Sequence, residues 1–467
     1  MTTFRFFTNL RPETVAAFER SGYAPPAWLL SSHRLTRETE RLALWARSTG
    51  VPLFADNGTH PLIGRVATLY DEACAPLAAQ IRALRRSLPD RRRIPLAREV
   101  PADLTERARD MVDSVTGEVD RMHAARSGSA LLDEQLRMEP THLVAREDFA
   151  TACMLALGLE REITRLPIAW FLRRNRITFD FWEQAEGDPR CRDVRVYATL
   201  GAVDYNTARA AAREAARRGI RRVALGCAGI NNDGTFADRY MAGPGRALPG
   251  PAPRRYVRLT EIACGIRDGY REAGVRLRAF HALGLGASAQ FPTLAAAFDW
   301  YTHLSIDATS PLHDSVQDRV FYDADGWGER LHVTGAARRV LEGGEWSFAC
   351  PFCEYLRTRF GHDPEGARAW WAAQGERPID VDDLDPAEPL GARLPAFATA
   401  PGSSTSVQTR ARTAHNHWVI DSLCAQVPSR ERAAWGVGHL AALRADRTRA
   451  TRMGLDASRV ILEALGR

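Results

Sequence analysis

Short apolar runs alternate along most of the chain with longer stretches whose apolar positions recur at helical spacing. The runs at residues 27–30, 51–55, 142–145, 194–200, 222–225, 277–283 and 304–306 predict strands. They are apolar nearly throughout, the pattern of strands covered on both faces. Between them, residues 207–218 are rich in alanine and arginine, both good helix formers. Residues 293–300 set Leu294, Ala297 and Phe298 on one helical face. Strand, helix and strand in repetition predict a parallel sheet of the α/β class. At this length a closed (β/α)8 barrel, the TIM barrel, is the expected architecture.

Three segments break the pattern. Residues 75–139 read as a charged helical insertion containing Arg91-Arg92-Arg93. Residues 231–256 hold glycine, proline and the turn Asn231-Asn232-Asp233-Gly234, which predicts a long loop on the functional face. Residues 376–410 are rich in Pro, Asp, Gly and Ser and read as a linker or mobile loop. The expected division is a barrel over residues 1–345, with a small zinc-binding subdomain and C-terminal helices over 346–467.

Composition narrows the chemistry. Of 467 residues, 45% are hydrophobic and 26% charged, as in ordinary soluble proteins with a large core. The 63 basic and 57 acidic residues leave a net charge of +6, and every basic residue is arginine. Without lysine there is no Walker-A phosphate site, no protein-kinase core, no pyridoxal Schiff base and no lysine nucleophile. Arginine alone still suits a phosphate-bearing partner. No apolar run approaches the ~20 residues of a membrane span. Met1-Thr2-Thr3-Phe4-Arg5 lacks a signal-peptide layout, so a cytoplasmic protein is expected. The eight cysteines are too few for a disulfide scaffold; six are scattered, and only Cys350 and Cys353 form a pair.

Three predicted strands run straight into carboxylates: Asp56 after Ala55, Glu147 and Asp148 after Arg146, and Asp307 after Ile306. One such acid is commonly a helix cap, but three on the catalytic rim of a barrel point to chemistry. Two carboxylates with separated pKa values suit displacement at an anomeric carbon through a covalent intermediate. Glycines follow two further strands, at Gly226 and at Gly284 and Gly286, where a planar ligand or phosphate can approach the backbone. Cys350-Pro351-Phe352-Cys353 with His415 downstream offers thiolates and imidazole for a structural Zn²⁺.

These pieces, in this order, resemble the tRNA-guanine transglycosylase superfamily over about residues 23–419. Ala55-Asp56-Asn57-Gly58 resembles its Asp-Ser-Gly segment, His281 to Gly286 its Gly-x-Gly strand, and Leu304 to Ser310 its Phe-Asp-Cys-x-x-Pro-Thr segment. The resemblance implies Asp307 as nucleophile, Asp56 as general acid/base, Glu147 or Asp148 as reader of the base, and Gly226 and Gly284 in substrate contact. Cys350, Cys353 and His415 would hold Zn²⁺. Phe348 stands where a further zinc cysteine falls, so Cys424, His417 or His362 would replace it.

The amino-terminal antiparallel strands of the tRNA enzymes are short or absent, the first barrel strand being expected near residue 27. The chain continues only briefly past the zinc module, so an RNA-binding PUA domain is not expected. The chain is therefore most similar to the DNA-acting 7-deazaguanine transglycosylase branch (DpdA). That implies exchange of guanine in DNA for 7-cyano-7-deazaguanine (preQ0), with nucleic acid, a 7-deazaguanine base and proteins of a DNA-modification system as partners. A tRNA-acting enzyme, or a non-catalytic partner subunit of one, are the alternatives.

Overall fold

Eight parallel strands close into a barrel in chain order: β1 (Phe4–Asn9), β2 (Trp28–Ser31), β3 (Leu53–Asp56), β4 (His142–Val144), β5 (Arg195–Thr199), β6 (Arg222–Gly226), β7 (Ala279–Leu283) and β8 (His303–Ala308). The computed structural model describes residues 4–21, 23–32, 36–88, 94–227, 230, 235–236, 241–242, 246–299, 301–317, 320–324, 326–332, 407–444 and 447–466. Helices surround the strands, so the expected (β/α)8 architecture is the observed one.

The strands read as apolar runs because both faces are covered. Phe7, Leu29, Phe54, Val144, Tyr197, Ala224 and Ala279 meet inside the barrel. The positions between them, such as Phe6, Ala55, Leu143, Val196 and Phe280, pack against the outer helices.

The barrel does not begin near residue 27. Its first strand is β1, which pairs with β8 from Phe4–Leu304 to Thr8–Ala308 and with β2 through Thr8 and Asn9. Without it the sheet would not close. Arg5, the second residue of this strand, disguised it as a polar terminus.

Helices α1 (Pro12–Ser21) and α2 (Arg37–Ser48) follow the first two strands. The insertion between β3 and β4 holds α3 (His60–Ser87), α4 (Ala102–Ala125) and α5 (Gly128–Leu136), so it starts at residue 60 rather than 75. Ile63, Val66, Leu77 and Ile81 of α3 share a core with Leu104, Val112, Val115 and Val119 of α4. The run Arg91-Arg92-Arg93 lies outside the described residues.

Next come α6 (Ile168–Gly187), α7 (Tyr205–Arg217) and α8 (Arg254–Glu272). Asp204 caps α7 by accepting the Thr207 N–H at 2.9 Å, while the Thr207 hydroxyl accepts from Asp204 N. Helix α8 starts inside the segment expected to be loop. Its Arg254 and Arg258 are buried and ion-paired with Glu160 and Glu162, which anchors the first turn. The predicted turn at residues 231–234 lies outside the described residues. The predicted helix at 293–300 is α9 (Phe291–Ala297).

The C-terminal helices α10 (Val407–Gln426), α11 (Arg432–Ala442) and α12 (Arg449–Leu465) lie against the barrel. Val419, Ile420 and Leu423 of α10 share a core with Phe4 and Phe6 of β1. Helix α10 therefore occupies the place of the helix after β8. The proposed boundary at residue 346, and residues 376–406 of the proposed linker, lie outside the described residues. Among the described residues, no helix is long and apolar enough to cross a membrane.

Candidate active site

Asp56 is the last residue of β3, Glu147 and Asp148 follow β4, Gly226 ends β6, Gly284 follows β7, and Asp307 lies on β8. All of them line one cavity of about 570 Å³ at the C-terminal mouth of the barrel. A parallel barrel delivers the ends of all its strands to one rim, and this volume suits a nucleoside-sized ligand. The carboxylates predicted from the sequence are brought together.

Asp307 is held from beneath. Its Oδ1 accepts the Gly284 N–H at 3.1 Å and lies 3.2 Å from His281 Nε2. His281 Nδ1 lies 2.9 Å from the Ser305 hydroxyl. An ionised carboxylate only accepts, so the coherent assignment has Nε2–H donating to Asp307 and the Ser305 hydroxyl donating to Nδ1. The imidazole is fully buried, with its ring against Phe7 and Phe54. Gly284, at φ 74°, turns its N–H back towards Asp307. Its backbone donor thus meets the carboxylate, and the residue also lines the cavity. At Gly286 a side chain would overlap the Ser310 hydroxyl, so this glycine serves packing.

Asp56 accepts hydrogen bonds from the backbone of Asn57 and Gly58 and from Ser31. Burial, and then the nearby Asp307 carboxylate, outweigh these donors and raise its pKa to about 6. Burial and the Asp56 charge push Glu147 further, to about 8, against hydrogen bonds from Thr59 and Asn57. A Cβ built on Gly226 would stand 3.5 Å from Glu147 Oε2, so the bare backbone of β6 and this carboxyl flank the same space.

Asp148 is differently engaged. It pairs with Arg174 and accepts the Ala150 N–H at 2.9 Å. Burial raises its pKa and Arg174 opposes the rise. Of the two residues proposed to read a base, Glu147 is the one coupled to Asp56 and adjoining Gly226.

Sequence reasoning assigned no role to His281, Ser305 or Asn57. Asn57 ties the β3 loop to β4, donating to the Ala145 carbonyl at 3.0 Å and accepting from Thr59 N at 3.1 Å. His281 and Ser305 had one available signal: each sits two residues before a rim position on its strand, hence on the same face.

Cys350 and Cys353 lie outside the described residues, as does His362. His415 is buried on α10, its Nε2 2.8 Å from the Tyr322 carbonyl oxygen and its ring edge-on to Phe321. His417 and Cys424 do not share its surroundings. The His417 ring packs on Phe6 and Phe18, and Cys424 belongs to the barrel's apolar core. Among the described residues, no group of three or more His, Cys, Asp or Glu could hold a metal.

The chain matches no protein-family model and no curated protein. The chemistry of its C-terminal mouth therefore rests on the side chains that line it.

Proposed function

We propose that the protein exchanges a purine base in a polynucleotide, replacing guanine in DNA with a 7-deazaguanine such as preQ0, through a covalent aspartyl-glycosyl intermediate. The observation that carries this reading is the shared cavity of Asp56 and Asp307, in which the second carboxylate helps raise the first to a pKa of about 6. Such a pair divides labour between nucleophile and acid/base.

The target nucleotide leaves the stack and enters the mouth, where Glu147 and the Gly226 backbone flank the base. Asp307 attacks C1′, forming the O–C1′ bond as the C1′–N9 bond breaks, and protonated Asp56 gives its proton to the departing guanine. The incoming deazapurine binds in the same space. Its N9 attacks C1′, its N9 proton passes to Asp56, and Asp307 leaves as carboxylate. Two displacements retain configuration. His281 and Gly284 hold Asp307 in line, and Gly284 also lines the cavity.

Zinc fits as a structural ion held by Cys350, Cys353 and His415. A carbonyl only accepts, so the Tyr322 oxygen calls for the proton on His415 Nε2. When bound, zinc supplies a tie between α10 and the segment before it.

The test incubates the protein with labelled guanine or preQ0 and either plasmid DNA or tRNA. The expected results are incorporation into DNA, a denaturant-stable protein–DNA adduct, and loss of both in Asp307→Ala, with the rate down by roughly 10⁴ or more. Incorporation into tRNA alone would move the substrate to tRNA. Undiminished exchange by Asp307→Ala would overturn the mechanism.

A further inference from the structure

The opposite end of the barrel carries a second cavity, of about 420 Å³, lined by Arg195, Arg221, Arg222, Arg276, Arg278 and Tyr301 among others. It is distinct from the carboxylate mouth, because its residues come from the beginnings of the strands. Strand alternation explains how arginine reaches the barrel axis. Tyr197 and Ala224 belong to the interior cluster, so Arg195 and Arg222, two residues earlier on β5 and β6, face the same interior one layer lower. Barrel interiors are ordinarily filled at this level by branched apolar side chains.

Much of this charge has no carboxylate partner among the described residues. Elsewhere the protein pairs its arginines: Arg218 with Glu183 and Glu214, Arg258 with Glu162 and Glu261. Among the described residues, no carboxylate lies within ion-pair distance of Arg195, Arg221, Arg222 or Arg278. The Arg195 guanidinium instead lies 3.4 Å from the His142 imidazole. His142 answers to this field: burial, then Arg195 and Arg5, lower its pKa to about 3. The Arg276 guanidinium lies over the Tyr301 ring, 3.9 Å from its centroid, which holds one cation in place.

We propose that this N-terminal mouth is a binding site for a small oligophosphate, two or three contiguous phosphates free or carried on a nucleotide. Guanidinium groups pair with phosphate oxygens through two parallel donors, so several converging arginines match a chain of phosphates. A concave pit favours a compact ligand over the backbone of a duplex, which needs an open basic stripe. Binding would relieve the mutual repulsion of the arginines and stabilise the fold.

The full chain is titrated calorimetrically with inorganic tripolyphosphate at constant ionic strength, with sulfate as the comparison anion and ATP as a second arm. One saturable site per chain is expected, together with a rise in Tm and binding at least tenfold weaker in Arg222→Gln/Arg278→Gln. Because Arg222 is half-buried, the exposed pair Arg221→Gln/Arg278→Gln is measured in parallel, and it should also weaken binding. Arg121→Gln, on the surface of α4, should leave it unchanged. ATP binding as tightly as tripolyphosphate supports a site for phosphates alone; tighter ATP binding, lost in Tyr301→Ala, supports a nucleotide. No saturable binding, equal competition by sulfate, or binding undiminished in both double variants would overturn the proposal.

Discussion

His281 Nε2 lies 3.2 Å from Asp307 Oδ1, inside a barrel core that admits no solvent to the imidazole. The ring is fixed from the other side by Ser305, so the three side chains form a buried relay ending at the proposed nucleophile. A positioned nucleophile reacts faster than one free to rotate, and the effect falls on kcat rather than on substrate binding. His281→Phe keeps a ring in the aromatic cluster but removes the donor. It should lower kcat for base exchange roughly 10–100-fold with little change in KM, and His281→Gln, which restores a donor, should recover part of the loss. Steady-state kinetics on guanine-containing DNA decide this. A change confined to KM would reduce His281 to a packing residue.

Asp56, with a pKa raised to about 6, carries its proton at pH 5 and has lost it at pH 8. The first half of the proposed exchange consumes that proton. The single-turnover rate of adduct formation should therefore be flat below about pH 6 and then fall, approaching tenfold per pH unit. Asp56→Asn has no proton to lose, so its slower reaction should lack this limb. Quenched-flow measurement across pH 5–9 gives the profile, and a variant with the same midpoint as the parent would assign the titration to another group.

Much of this was legible in the sequence because the strands are buried on both faces and their terminal carboxylates follow without an intervening loop. Asp56 and Asp307 could be placed on one rim from the chain pattern alone. Strand β1 could not: Arg5 sits two residues before the inward-facing Phe7, at an inward position, so the segment lacks the uniform apolar signature of its neighbours. Helix α10 was equally hidden, since more than 90 residues separate its start at Val407 from the end of β8 at Ala308. His281 reads in sequence as one more core histidine, because its partners Ser305 and Asp307 are on the next strand.

The α7–α8 contact depends on missing side chains. A Cβ at Gly265 would overlap the Tyr205 carbonyl oxygen and approach the Ala208 Cβ to 2.9 Å, leaving the helices no route to relax except separation. Gly265→Val should cost about 3 kcal/mol or more, above the usual overpacking range of ~1–3 kcal/mol, because the obstacle includes backbone. Gly64 on α3 has open space around the position a Cβ would take, with nothing within 4 Å, so Gly64→Ala should gain about 0.5–1 kcal/mol from helix propensity. Urea denaturation of both variants tests the contrast. Equal and small effects would show that the two helices are not in close backbone contact.

Glu147 links the site to stability. Its folded pKa of about 8 exceeds the ordinary value of 4.5, so between those pH values the native chain holds a proton that the unfolded chain has lost. Stability must fall as pH rises through that window, by up to about 1.4 kcal/mol for each pH unit crossed. Asp56 adds a smaller loss of the same sign between 3.8 and about 6. Glu147→Gln preserves shape and cannot ionise. It should melt several degrees above the parent at pH 8.5, with the gap closing below pH 4.5, while kcat/KM for base exchange falls roughly 10–100-fold above pH 8, where Glu147 is ionised and can accept a guanine N1–H and N2–H together and an amide cannot. Melting curves at pH 4, 6 and 8.5 separate this from a simple packing change, which would displace Tm equally at all three.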